Sequence, residues 1–248
     1  MSPIEIALLA LSAFATAALT GVAGAGGGML LLAIMLQLMP PAAAIPLHGA
    51  VQLAANTVRS WLLRRAIDWR IAWRFSLLLP AGIGIGLLLF QGLPTAVVQM
   101  LIGSFVLLSL SLHRIRLLRG RELPLWVFLP LGFATGVLNM IVGVIGPVLA
   151  ALVIRRPLSK EAVVGTLGLF ALASNLLKVG GFALAGFSFR NYGPAIVCMV
   201  PAAMLGSRTG RLLLGRIDER RFPLVFRLVL AALAAKLILL DGLVRLWR

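Results

Sequence analysis

The sequence is short of most things that catalysis, metal binding or extracellular bracing would require. Cys198 is its only cysteine, which excludes an intramolecular disulfide and any site built from several thiolates. Its two histidines, His48 and His113, are too few and too far apart in sequence to suggest a metal centre. Asp and Glu number 7 against 23 Lys and Arg. Glu5, Asp68, Glu122, Glu161, Asp218 and Glu219 all fall near the ends of apolar segments, so no deeply placed carboxylate offers itself as a proton or sodium relay. No nucleophile, base and orienting residue occur at recognisable spacing, and no glycine loop is followed by the Lys-Ser/Thr of a phosphate cradle. The residues therefore point away from an enzyme and imply neither cofactor nor metal.

The largest deficit is of charge over long distances. No Asp, Glu, Lys or Arg occurs from Ile6 to Val58, from Phe75 to His113, or from Leu123 to Ile154. A hydrocarbon core about 30 Å thick needs only about 20 apolar residues per helix. With 61% hydrophobic residues and 12% charged, the chain reads as an all-α, polytopic membrane protein. The formal net charge of +16 would suggest nucleic acid for a soluble protein. Here the basic residues cluster in short gaps between apolar segments, as basic cytoplasmic loops do, so the expected partner is the lipid bilayer and not nucleic acid. The first apolar run has no basic residue before it and reads as an uncleaved membrane segment in the cell inner membrane.

Splitting at charges and prolines gives eight apolar segments, at 3–38, 42–63, 71–91, 95–113, 123–154, 161–186, 191–214 and 222–244. Trp61, Trp69, Trp73, Trp126 and Trp247 lie near segment ends, where amphipathic rings favour the headgroup level. A shift of 119 residues superposes Phe14-Ala-Thr16 on Phe133-Ala-Thr135, Gly24 on Gly143, Gly27 on Gly146, Gly49 on Gly168, Asn56 on Asn175 and Arg59 on Lys178. The chain thus divides into two homologous transmembrane repeats, 1–119 and 120–248. Arg64, Arg65, Arg70 and Arg74 follow segment two of the first half. In the second half Arg155, Arg156 and Lys160 follow segment five, and Arg208 to Arg221 surround the gap after segment seven. The reversed bias implies repeats of opposite topology, with the loops near Arg65, Arg119, Arg156 and Arg216 on the cytoplasmic side. Opposite topology needs an odd number of crossings per repeat. Segments one and five, the longest and each interrupted by glycine or Gly-Pro, are the ones expected to break or re-enter.

Glycine breaks in hydrocarbon expose backbone groups that must face protein, water or a ligand. Matched breaks in two repeats point to a central site where helix N-termini favour an anion; close helix packing is the competing explanation. The candidate binding residues are Gly24, Gly26, Gly27, Gly28, Asn56 and Arg59, with their second-half counterparts Gly143, Gly146, Asn175 and Lys178. Each Asn precedes its cation by one helical turn, so an amide and a cation can share a helix face. Snorkelling of the cation to the headgroups competes with that reading. His48 is a candidate for proton coupling, being the one residue of the apolar segments that ordinarily titrates near neutrality. Lys236 is a candidate intramembrane charge, either functional or simply paired with Asp241.

Four stretches carry a resemblance to a known family: Gly24-Ala-Gly-Gly-Gly28, Pro40-Pro41-Ala-Ala-Ala, Arg64-Arg65-Ala-Ile-Asp68-Trp69-Arg70 and Pro80-Ala-Gly-Ile-Gly84. In their order and repeat spacing they resemble the sulfite exporter TauE/SafE family, small bacterial membrane proteins of two homologous halves. The chain departs from the pattern at Val142-Gly-Val-Ile-Gly-Pro147, which lacks the fuller glycine run, and at His48, a position often held by a small residue. The resemblance implies transport of sulfite, sulfonate or a related sulfur-containing or organic anion, often as export. The expectation is a secondary transporter for a small anion, working by alternating access around a midplane site, with self-association into a homo-oligomer left open. A non-transporting assembly partner or a membrane-embedded enzyme is the alternative.

Overall fold

The computed structural model describes residues 1–23, 26–111, 122–213 and 222–244, which are helical with short connections. Gly24, His113, Arg119, Arg216, Arg245 and Trp247 lie outside the described residues. Segment one forms two helices, α1 (Pro3–Ala23) and α2 (Gly27–Leu38), and is followed by α3 (Pro41–Leu62), α4 (Trp69–Gly92) and α5 (Thr95–Ser111). Segment five is divided in the same way into α6 (Phe128–Ile141) and α7 (Gly146–Val153). Beyond it lie α8 (Lys160–Leu184), α9 (Gly193–Leu213) and α10 (Phe222–Ile238).

Local chemistry sets these boundaries. Gly26 and Gly143 sit at φ 105° and 81°, a region that a β-carbon disfavours, so the helical ladder stops at each. Pro147 then stands in the first turn of α7, where its missing N–H costs no intrahelical bond. At the start of α4 the Asp68 carboxylate accepts from the backbone N–H of Arg70 and Ile71 at 2.9 and 3.2 Å. Ser159 caps α8 through Ala162 N–H at 3.1 Å; both caps satisfy donors that a helix start leaves unpaired.

Three helices have the length and composition to cross a membrane, at Pro3–Thr20, Trp69–Gly92 and Lys160–Leu184. With 12 and 8 residues, α2 and α7 extend only about 18 and 12 Å at 1.5 Å per residue, too short to cross alone. The chain turns back after α1, because Gly27 lies against Thr16 and Thr20 of that helix. The outer surface is apolar, with Leu88, Leu184 and Val197 71%, 92% and 71% exposed. Such a surface suits a lipid environment. Trp61, Trp69, Trp73 and Trp126 are exposed near helix ends, as interfacial anchors are.

Glycine contacts give the helix directions. Gly206 and Gly210 of α9 lie against Phe14 and Ala18 of α1, and Gly82 and Gly86 of α4 against Phe133 and Val137 of α6. Residue numbers rise together in each pair, so α1 runs parallel to α9 and α4 to α6. Phe14 and Phe133, and Ala18 and Val137, are also the positions that the 119-residue shift superposes. The opposite holds for α3 and α8. Gly49 meets Lys178 and Val179, Gly168 meets Ser60 and Arg59, and Gly165 meets Leu63, so numbers fall as their partners rise and the helices are antiparallel. The α5–α10 pair is antiparallel too, with Gly103 at Ala234 and Ile238 and Gly242, in the π-helical turn Leu239–Leu243, at Met100.

The turn after α3 and the start of α8 therefore share one end of the bundle, where Asp68 N–H donates to Thr166 Oγ1 at 3.0 Å. Arg156 joins that end to the segment before α6, donating to the Leu123 carbonyl at 2.9 Å and lying 3.7 Å from the Glu122 carboxylate. Arg64, Arg65 and Arg156 thus mark a single basic end.

The parallel contacts depend on backbones approaching over glycine, as small-residue interfaces in membranes do. A β-carbon at Gly82 would run into the Phe133 carbonyl, whereas one at Gly84 meets nothing within 4 Å. Gly82→Leu is expected to lower thermal stability in detergent by about 1–3 kcal/mol, the usual cost of overpacking. Gly84→Ala should match the parent or exceed it slightly. Equal melting of both variants would mean that α4 and α6 do not meet at Gly82.

Candidate functional site

Both helix breaks open onto one cavity of about 100 Å³. From the first break it takes Gly26 and Gly28, from the second Gly143, Ile145, Gly146 and Pro147, and from the long helices between them His48, Asn56, Arg59 and Asn175. Thr20, Gln52, Asn139 and Ser174 add further polar groups. Among the described residues no carboxylate lines it. Several lining positions correspond across the 119-residue shift: Thr20 with Asn139, Gly28 with Pro147, His48 with Leu167, Gln52 with Ala171 and Asn56 with Asn175. The two walls are nevertheless unequal, because His48 and Gln52 face apolar counterparts.

The first residues of a helix have no intrahelical acceptor for their N–H groups. In α2 these include Gly27 and Gly28; in α7 Gly146 retains such a group but Pro147 has none. The positive end of the α2 dipole is accordingly the richer in donors. Asn56 lines the cavity beside it and is only 4% exposed, with no hydrogen bond to its side chain among the described residues. Asn175 spends one amide N–H on the Ala171 carbonyl at 2.7 Å.

Arg59 is the cation of the cavity wall. Its guanidinium makes no ion pair and no hydrogen bond among the described residues, and the half-buried side chain leaves its donors for a ligand or water. Lys178, its counterpart in the second half, behaves differently. It is fully buried and does not line the cavity; its Nζ donates to the Gly143 carbonyl at 2.9 Å and to Asn139 Oδ1 at 3.3 Å. The acceptance at Oδ1 turns the Asn139 amide so that its N–H donors are left for the cavity.

The glycines that align in the two halves explain where these cations lie. A β-carbon at Gly49 would be 2.7 Å from Lys178 Cε, and one at Gly168 would be 3.5 Å from Arg59 Cδ. Gly49 thus leaves room for the aliphatic stem of Lys178, whereas at Gly168 the Arg59 stem lies at ordinary contact distance, both at the antiparallel crossing of α3 and α8.

His48 is buried, with Nε2 2.9 Å from the Gly28 carbonyl. A carbonyl only accepts, so Nε2 carries the proton. The Gln52 amide nitrogen, 3.3 Å from the same ring nitrogen, is then a neighbour and not its donor, and the Gln52 amide remains available to the cavity. Lys236 lies outside the site, on α10, with its Nζ 3.1 Å from Asp241 Oδ2 across the π-helical turn. Gly27 packs on α1 behind the cavity wall, and Gly24 lies outside the described residues. Of the polar lining residues, Asn139 was not singled out by the sequence. Its counterpart is Thr20, so the shift that exposes Asn56 and Asn175 shows no matching residue type here.

The helical fold with its apolar outer surface is that of a helical membrane protein. The sulfite exporter TauE/SafE family model matches residues 9–237, nearly the whole chain, and the chain belongs to that family, whose members are membrane transporters for sulfur anions. No curated protein and no solved structure matches it.

Two glycines of the breaks separate packing from lining. A β-carbon at Gly27 would collide with the Thr16 carbonyl and Thr20 hydroxyl, whereas one at Gly146 would meet nothing within 4 Å. Gly27→Ala is expected to lose about 1–3 kcal/mol of stability, and Gly146→Ala to stay within about 0.5 kcal/mol of the parent. Thermal unfolding of the purified variants checks both values.

Proposed function

We propose that the chain is a secondary transporter that binds a small oxyanion, sulfite or a sulfonate by family, in the cavity between the two helix breaks. The observation that carries this reading is Arg59, an unpaired guanidinium on the wall of a cavity without a carboxylate. Guanidinium presents its donors as a fork, which suits the adjacent oxygens of sulfite or a sulfonate. Asn56 and the first N–H groups of α2 would complete the contacts, with Asn175 and Asn139 closing the opposite side.

Alternating access follows if the halves are inverted repeats. The antiparallel courses of α3 with α8, and of α5 with α10, support that reading. Helices at equivalent positions run antiparallel when the relating axis lies in the membrane plane, and parallel when it lies along the membrane normal. Gathering of Arg64, Arg65 and Arg156 at one end of the bundle supports a cytoplasmic position for that end. In a bacterial cell the membrane would be the inner one.

Arg59→Met is expected to weaken sulfite binding about 10- to 100-fold, since a hydrogen bond to a charged group contributes roughly 1.5–3 kcal/mol. Arg64→Met serves as the control. Arg64 is exposed, donates to the Trp61 carbonyl at 2.9 Å and lies 4.4 Å from the centroid of that ring, so its loss should leave affinity unchanged. Calorimetry with sulfite, a sulfonate and a carboxylate tests the assignment. Equal, small effects of both substitutions would remove Arg59 from the site.

Orientation has its own measurement. In a Cys198→Ala background, single cysteines at Arg65 and Arg156 should be labelled from the cytoplasmic side and one at Gly186 from the other. Labelling of Arg65 and Gly186 from the same side would refute the topology.

A further inference from the structure

Lys178 is the one buried cation that the anion site does not use. The helix α6 ends at Ile141, and the chain continues through Gly143 at φ 81°. The last carbonyls of a helix lack intrahelical donors and carry the negative end of its dipole. At such an interrupted end, a backbone carbonyl and a side-chain amide oxygen form the oxygen-lined, partly negative niche in which transporters hold a sodium ion. Here the niche is filled from within the chain. The Nζ of Lys178 takes both oxygens, Gly143 O at 2.9 Å and Asn139 Oδ1 at 3.3 Å. It is fully buried, and among the described residues it pairs with no carboxylate.

The surroundings are arranged to admit this ammonium. The stem of Lys178 passes over Gly49, where a β-carbon would come within 2.7 Å of Cε. Among the described residues the titratable groups on the adjoining cavity are His48, which is committed to the Gly28 carbonyl, and Arg59, itself a cation. No Asp or Glu among the described residues lines the adjoining cavity, so no carboxylate there would help to bind a free metal cation.

We propose that Lys178 is a tethered counter-cation, standing where a coupling sodium ion would otherwise bind, and that transport by this chain is consequently independent of sodium. The proposal rests on the transport reading for its second clause only. Its first clause concerns the protein alone and can be tested without flux.

The thermal test compares purified protein in sodium chloride and in N-methylglucamine chloride at equal ionic strength. The wild type should melt at the same temperature in both. Lys178→Ala empties the niche and leaves its two oxygens without the donor, so sodium should raise the melting temperature of this variant by on the order of 2–4 °C relative to N-methylglucamine. Lys178→Met fills the volume without supplying donors and should show no sodium response. A wild type stabilised by sodium, or a Lys178→Ala variant indifferent to it, would overturn the first clause.

The flux test uses wild-type protein in proteoliposomes with labelled sulfite. Uptake that is unchanged when the sodium gradient is replaced by N-methylglucamine supports the second clause, and uptake that requires sodium overturns it even if Lys178→Ala fails to fold. Absence of flux with sulfite, a sulfonate and a carboxylate alike would count against the anion reading and the second clause, and the thermal result would still decide the first.

Discussion

Backbone groups freed at a helix break have no water to turn to inside a bilayer, and an unsatisfied one costs several kcal/mol. That constraint organises the centre of this protein. Two breaks are brought together, so the polar groups that each releases face the same small cavity. At the first break the Gly28 carbonyl accepts from His48; at the second the Gly143 carbonyl accepts from Lys178. Each bond fixes a long helix against an interrupted one, α3 against α2 and α8 against α6. Among the described residues the first N–H groups of α2, the Asn56 side chain, the Ser174 hydroxyl and the guanidinium of Arg59 are cavity groups without a hydrogen-bond partner. Donor groups at the start of α2 and the side chain of Arg59 thus face the cavity, which is the arrangement that the proposed anion site rests on.

Much of this was legible in the residues. The charge-free runs predicted helices in a membrane, and the glycine interruptions of segments one and five lie where α1 gives way to α2 and α6 to α7. The 119-residue shift placed Asn56, Asn175 and Arg59 together, and the structure brings all three to the cavity. What it could not give was direction. Arg59 and Lys178 occupy equivalent positions, yet one reaches the cavity and the other is drawn to the far side of its wall by Asn139 and Gly143. Spacing places a side chain on a helix face, whereas its hydrogen-bond partners depend on which helix crosses there. Asn139 and Gln52 escaped for a related reason, since their counterparts Thr20 and Ala171 are different residue types. For Lys236 the sequence left a functional role and simple pairing with Asp241 both open, and the structure places the two side chains 3.1 Å apart.

The glycines do two separate jobs that the sequence does not tell apart. Gly26 and Gly143 are needed for their positive φ. Gly82, Gly86, Gly206 and Gly210 are needed for closeness, letting α4 approach α6 and α9 approach α1. Composition alone makes all of them look like one flexible run. The distinction lies in what a β-carbon would meet, and that depends on a helix from the other half of the chain in each packing case.

Gly49 carries this dependence furthest, since it makes room for a cation encoded in the other half. A bulkier residue at Gly49 is felt at Lys178, so the first half cannot change there without a response from the second. Cleaving the gene between α5 and α6 would yield two polypeptides that depend on each other, because the first would carry the socket for a charge that only the second supplies.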